Sequence, residues 1–316
     1  MLETFFNSVS SVFVILLLTA TGYFLAAAGW MKAEHKAFLS KLLISVFVPC
    51  NCAYGMLTNL DRELLLASGV YLLIPFATML VSYPLSILTA KLFGVSRKHT
   101  GLFVLLTATS NAIFIGLAMC RELFGEEGTP YVMLYYIFST AFLYTLSMGL
   151  ARMTMGGEKV DLKKTLLDIV KMPVVIAAAV SIALILLGLK LPALCMSYLK
   201  YMSGAVTPLA MIISGFVIHS IGFKALRMNR ETAGVLVFRF LLAPLLCFAF
   251  CLLFGGEGLG MKVNLVLSSM PSVTIAVVIA ARYGDEKDEM FASQGVAWTS
   301  IATFLVTPVL MLLMYR

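Results

Sequence analysis

Charge is the first thing this chain lacks. Asp, Glu, Lys and Arg make up 12% of its 316 residues, whereas 61% are hydrophobic. Soluble domains carry about a quarter charged residues, and one core of this size cannot bury so much apolar surface. A water-soluble domain is therefore excluded. A bilayer is the solvent that fits, at roughly 20 apolar residues per spanning helix. Histidine is equally scarce, with only His35, His99 and His219. No HExxH, GxSxG or paired-aspartate motif appears, which removes the common routes to metal-assisted or nucleophilic catalysis. No catalytic residue, metal or cofactor is expected. The cysteines Cys50, Cys52, Cys120, Cys195, Cys247 and Cys251 match no zinc or redox spacing and read as small apolar side chains. No Asp or Glu falls well inside an apolar run, although a membrane carboxylate commonly carries a coupling proton or Na⁺. H⁺ coupling, Na⁺ coupling and uniport all stay open.

What remains is a series of apolar stretches. Their cores lie at about 8–30, 37–58, 64–90, 101–120, 130–151, 172–189, 201–221, 232–254, 263–281 and 291–314, which predicts an all-α polytopic membrane protein of ten transmembrane helices. The run Val12 to Ala28 ends in three alanines, but Glu3 and the lack of Lys or Arg before it predict a first span rather than a cleaved leader. The net charge of +7 sits in short patches between spans, so no nucleic acid is expected as a partner. Sixteen Lys and Arg follow the odd-numbered spans, among them Lys32, Lys98, Lys159, Lys224 and Arg282. Six lie on the other side, among them Arg121, Lys200 and Arg316, and only Arg239 falls inside a span. Cytoplasmic loops are the basic ones, so both termini are expected outside the cytoplasm.

The chain also repeats itself. Gly29 and Gly188, Pro49 and Pro208, and Gly125 and Gly284 are pairs separated by one common offset, 159 residues. This predicts a first five-helix repeat at 1–153, a cytoplasmic connecting loop at 154–170 and a second repeat at 171–316. An odd number of helices per repeat inverts the second copy, an architecture typical of secondary transporters. Such carriers bind cargo where matched helices break near the midplane. The fourth span contains Thr109-Ser110-Asn111, and the ninth contains Ser269-Met270-Pro271-Ser272 at the equivalent depth. Two breaks meeting there would present helix N-termini with bare N–H groups, which suits an anion such as a carboxylate. Asn111, Ser110, Thr109, Pro271, Ser269 and Ser272 are thus the candidate substrate site, with Asn51 beside Pro49 and the intramembrane Arg239 as further lining. Single Ser and Thr residues in spans often bond only their own backbone, and Arg239 has snorkelling as its plain alternative.

Read in order, several segments resemble the auxin efflux carrier family, whose bacterial members are often described as malate or malonate permeases. They are Gly22-Tyr23-Phe24-Leu25 through Gly29-Trp30, Lys41 through Pro49, Asn111-Ala112-Ile113-Phe114-Ile115-Gly116, Arg239 with Pro244, and Pro271 leading to Ala280-Ala281-Arg282-Tyr283-Gly284. The resemblance implies broken crossing helices 4 and 9, a scaffold of helices 1, 2, 6 and 7, and an elevator-like transport domain. It places Asn111 and Pro271 at the crossover, and it brings a homodimer into consideration. Two departures bear on cargo. Gly116 is followed by Leu117-Ala118 rather than a proline, and Ser110-Asn111-Ala112 stands where plant relatives have an Asn-Pro-Asn type of crossover. The expectation is a permease for a small organic anion in the cell inner membrane, and not for auxin itself. An intramembrane enzyme and a ten-helix sensor or channel are the alternatives. The first needs converging catalytic groups, and saturable, slow flux separates a carrier from the second.

Overall fold

In lipid every backbone N–H and C=O must find a partner within the protein, and apolar runs of this length can do so only as helices. The computed structural model, which describes residues 2–63, 69–156, 161–222 and 227–314, is built of helices on this principle. Lys159, Lys224 and Arg316 of the basic-residue pattern lie outside the described residues. The helices are α1 (Leu2–Ala27), α2 (Ala33–Asn59), α3 (Val70–Leu92), α4 (Arg97–Ala108), α5 (112–124) and α6 (Glu126–Thr154). They continue with α7 (Leu162–Val170), α8 (Pro173–Leu186), α9 (Ala193–Ile221), α10 (Arg230–Phe254), α11 (Gly258–Ser268), α12 (Ile275–Tyr283) and α13 (Glu286–Met314).

Six of these, α2, α3, α6, α9, α10 and α13, are long and apolar enough to cross a membrane. Shorter apolar helices run over Val12–Ala27 and Pro173–Leu186. The stretches expected as the fourth and ninth spans are each split into two short helices, α4 with α5 and α11 with α12. Their splitting is why they do not register as single long helices.

Local sequence explains the irregularities. Two helices widen into a π-bulge just before a proline, Leu43–Phe47 ahead of Pro49 and Phe238–Leu242 ahead of Pro244. A proline has no N–H, so the carbonyl four residues earlier loses its helical donor and the turn expands. Gly29 and Gly188, the first pair of the repeat, both adopt positive φ (75° and 66°) just past the ends of α1 and α8. Left-handed backbone at a helix end is glycine's ordinary place.

The most extensive helix contacts fall within two groups, with further contacts between them. α1 runs along the second part of α9, and α2 packs against α8 and the first part of α9. Elsewhere α4 lies against α3 and α6, α10 against α3, and α13 against α12 and α10. The α1–α9 contact is close because both helices present glycine: a Cβ on Gly22 would collide with the backbone of Ile212, and one on Gly215 with that of Thr19. Small residues that let backbones touch are how membrane helices gain dispersion contact without a hydrophobic driving force. α5 touches both groups, lying against α9 and α1 as well as α6. α1 also meets α13, and α2 meets α6, so the element that follows the first break is one of several that join the two groups.

Candidate functional site

The first break is short. α4 ends at Ala108, Thr109 is extended (φ −119°, ψ 138°), and α5 starts after Asn111. Asn111 caps α5, its Oδ1 accepting from the Phe114 N–H at 3.2 Å. An asparagine at this position satisfies one of the orphan donors of a helix start. The second break is longer. α11 ends at Ser268, the chain runs through Ser269-Met270-Pro271-Ser272-Val273, and α12 starts after Thr274, whose side chain makes no capping bond. Pro271 cannot continue a helix, and its ring fixes the local chain direction.

The two breaks meet. The Asn111 N–H donates to the Pro271 carbonyl at 2.8 Å, and an isolated antiparallel bridge joins Ser110 to Ser272. Ser272 Oγ donates to the Leu106 carbonyl at 2.6 Å, while its N–H donates to Thr299 Oγ1 on α13 at 3.0 Å. Ser110 Oγ bonds the Tyr135 hydroxyl at 3.2 Å. Each interrupted helix thus repairs its lost backbone bonds with the other.

Arg239 closes the crossover from behind. It is 1% exposed and sits on the π-bulge of α10. Its Nε donates to the Met270 carbonyl at 2.9 Å, its Nη2 donates to the same oxygen, and its Nη1 donates to the Thr107 carbonyl at 2.9 Å. The Thr107 carbonyl lies in the last turn of α4, where helical acceptors lose their donors, and the Met270 carbonyl lies in the second break, just past the end of α11. Arg239 is therefore inside the bundle, bonded to backbone, and it does not snorkel.

On the other side of the crossover lies a cavity of about 130 Å³. The chain around the start of α5 (Ser110, Asn111, Ala112, Ile113, Phe114) lines one side, and that around the start of α12 (Val273, Thr274, Ile275) another. Tyr136, Ser139, Thr140 and Tyr144 of α6, with Ile44 of α2, complete the wall. Asn111 is 4% exposed, and its amide Nδ2 is buried with no hydrogen-bond partner. A buried donor left unpaired in a site costs about 1–3 kcal/mol unless a ligand or water takes it up.

The residues named from sequence fall into three places. Ser110 and Asn111 line the cavity. Thr109, Ser269, Pro271, Ser272 and Arg239 build the crossover: the Thr109 hydroxyl bonds the Leu105 carbonyl, Ser269 bonds that of Val266, and the others bond across it. Asn51 lies apart from both, tying α2 to α9 through a 2.7 Å bond from its Nδ2 to Ser203 Oγ. Sequence reasoning passed over Ser139, Thr140, Tyr136 and Tyr144 on α6. The adjacent Ser139-Thr140 pair within an otherwise apolar run was the available signal.

Comparison with known proteins points to transport. Residues 7–311 match the family model described as membrane transport protein. The chain is 29% identical over 304 residues to the uncharacterized transporter MJ1031 of Methanocaldococcus jannaschii, covering 93% of this chain and 95% of that one. It is 28% identical over 280 residues to an uncharacterized transporter of Methanothermobacter thermautotrophicus, covering 87% and 89%. It is 22% identical over 314 residues to the uncharacterized transporter YfdV of Escherichia coli K12, covering 97% and 96%. With a family match over nearly its whole length and a multi-pass helical architecture, the chain belongs to the membrane transport proteins of the auxin efflux carrier family.

Proposed function

We propose that this protein is a secondary carrier that moves a small organic anion, a carboxylate, across the cytoplasmic membrane by elevator-type alternating access. One observation carries the reading. Two helix starts line a single cavity together with the unpartnered amide of Asn111. Helix starts hold bare N–H groups and a partial positive charge, and such a pair is suited to a carboxylate. No side chain need be titrated to bind it. Asn111 and Ser110 are the direct ligands from sequence, joined by Thr274, Ser139 and Thr140. Thr109, Ser269, Pro271, Ser272 and Arg239 hold those ligands in place, and Asn51 fixes the neighbouring α2–α9 contact.

The two packing sets support the motion. In this reading α1, α2, α8 and α9 form the scaffold, and the crossover bundle slides against it with α5 at the boundary. The reading includes ten spans in two inverted repeats, 1–153 and 171–316, joined by a cytoplasmic loop, with both termini outside. It also includes the inner membrane as the location, and a homodimer as the assembly.

The test is a thermal-shift series on purified protein against mono- and dicarboxylates, with and without Na⁺, followed by counterflow in proteoliposomes of whichever acid stabilises. A ligand present at a hundred times its Kd stabilises by about 2.7 kcal/mol. Asn111→Ala is expected to stay inserted and folded while losing both the shift and the counterflow. Unchanged counterflow kinetics in Asn111→Ala overturn the assignment.

A further inference from the structure

A guanidinium in the middle of a membrane bundle ordinarily faces a carboxylate, water or cargo. Arg239 does none of these. Its bonds go to two carbonyl oxygens, that of Thr107 in the last turn of α4 and that of Met270 just past the end of α11. None of the ion pairs among the described residues includes it. It is not among the residues that line the cavity. The residue is a cation spent on backbone.

The charge count at the crossover shows what that does. Each helix end carries about half an elementary charge, negative at the C-terminus and positive at the N-terminus. The ends of α4 and α11 together present about one negative charge, and the starts of α5 and α12 about one positive charge. Without Arg239 the crossover would be close to neutral, and its negative ends would cancel its positive ones at short range. With Arg239 the two C-termini are neutralised, and about one positive charge remains, facing the cavity.

We propose that Arg239 is a positioning residue with two effects: it clamps the last turn of α4 to the chain just past α11, and by neutralising those ends it leaves the cavity one net positive charge, suited to a singly charged anion. The inference rests on the anion-carrier reading and adds the charge of the cargo to it. Arg239 acts through the half-helices and does not touch the cargo. Lysine would keep the charge but lose the planar fork that reaches two carbonyls at once.

A thiolate placed in the cavity reads this field without a known substrate. Thr274 lines the cavity at the start of α12 and makes no capping bond, so Thr274→Cys is a mild probe. The exposed Cys195 and the partly exposed Cys50 are first replaced by serine. The rate of alkylation by a small neutral maleimide is then followed against pH. A thiol at a helix start beside positive charge titrates below about 7.5, against roughly 8.5 for a free one. Arg239→Met is expected to raise that value by about one and to slow labelling at neutral pH about tenfold. Arg239→Lys is expected to keep the value low while lowering thermal stability. If the thiol titrates low in the parent and Arg239→Met leaves it unchanged, this proposal fails and the anion reading stands. If the parent thiol titrates near 8.5, the anion cavity itself fails. Should Arg239→Met not fold, Arg239→Lys decides, because a thiol that returns to 8.5 with the charge still present overturns the proposal.

Discussion

The two breaks do the same job by different means. The first leaves helical geometry for only Thr109, Ser110 and Asn111, and Asn111 caps the new helix with its own side chain. The second runs from Ser269 to Thr274, has a proline within it, and starts its new helix without a side-chain cap. Its bonds come from elsewhere, from Thr299 on α13, Leu106 on α4 and Arg239 on α10. The first break is locally encoded and the second is encoded by the bundle. Changes at the first should therefore act on one residue's chemistry, and changes that damage the second can lie far away in sequence.

The largest effect is expected where the first break has no substitute. Asn111→Ala removes the cap on α5, worth about 0.5–2 kcal/mol, together with the buried amide that faces the cavity. Cargo-induced stabilisation and counterflow should both vanish. Asn111→Asp sharpens the point, since aspartate caps a helix start as well as asparagine. It should restore the thermal stability lost in the alanine variant yet still fail to bind an anion, because a carboxylate would replace the donor. Differential scanning fluorimetry with and without the stabilising acid separates the two contributions.

The next effect tests whether the seam between α1 and α9 is a contact of backbones. Gly215→Leu inserts a side chain where even a Cβ would collide with the carbonyl of Thr19. Overpacking of this kind costs about 1–3 kcal/mol or more. The thermal midpoint should fall, and the same substitution at Gly204, around which a Cβ meets open space, should leave it almost unchanged.

A smaller effect belongs to the second break. Ser272→Ala deletes the hydroxyl that donates to the Leu106 carbonyl but keeps the N–H bond to Thr299. The cost should be about 1 kcal/mol. Thr299→Val removes the acceptor for that N–H and should cost a similar amount from a position 27 residues away. Because both substitutions loosen one segment, their double-mutant cycle should show coupling of about 0.5 kcal/mol or more. Strict additivity would mean that the break is not held as a unit.

This contrast also explains what could be read in advance. The apolar stretches and the polar string at Thr109-Ser110-Asn111 are short-range features, carried by hydropathy and by residues that break helices. The position of Pro271 was legible for the same reason. Arg239 stood out as an intramembrane charge, but its partners did not. Thr107 lies 132 residues away and Met270 lies 31 away, and both offer backbone carbonyls, which no residue type announces. The cavity wall on α6 was missed because Ser139 and Thr140 look like any polar pair in an apolar helix until α5 and α12 are set beside them. Asn51 was taken as lining because it neighbours Pro49, yet its hydroxyl partner is Ser203, 152 residues on.

The same contrast recurs in the loops after the breaks. After the first break Glu126 pairs with Arg121, which also donates to the Ser203 carbonyl of α9. After the second, Asp285 and Asp288 form a reciprocal cap at the start of α13, each accepting the other's N–H. That cap also holds Lys98, at 2.5 Å from Asp285 and 2.8 Å from Asp288. His99 stands next to it, its Nδ1 2.9 Å from Glu231 and its Nε2 3.3 Å from the fully buried Asp288 carboxylate, with its ring stacked on Phe291. Only this second network contains a histidine, so only it should respond to mild pH change. The bond to Glu231, and the charges of Glu231 and Asp288, raise the His99 pKa against burial and the nearby Lys98. A raised folded-state pKa stabilises fully below the ordinary histidine value and is lost as pH rises through the folded one. The thermal midpoint should therefore fall as pH rises from the ordinary histidine value through the raised folded one, by a small amount because the cluster lies at the edge of the apolar region. His99→Gln should flatten the profile, and Arg121→Gln, in the other loop, should leave its shape intact. A profile unchanged by His99→Gln would place the titrating group elsewhere and end the assignment of pH sensitivity to the loop after the second break.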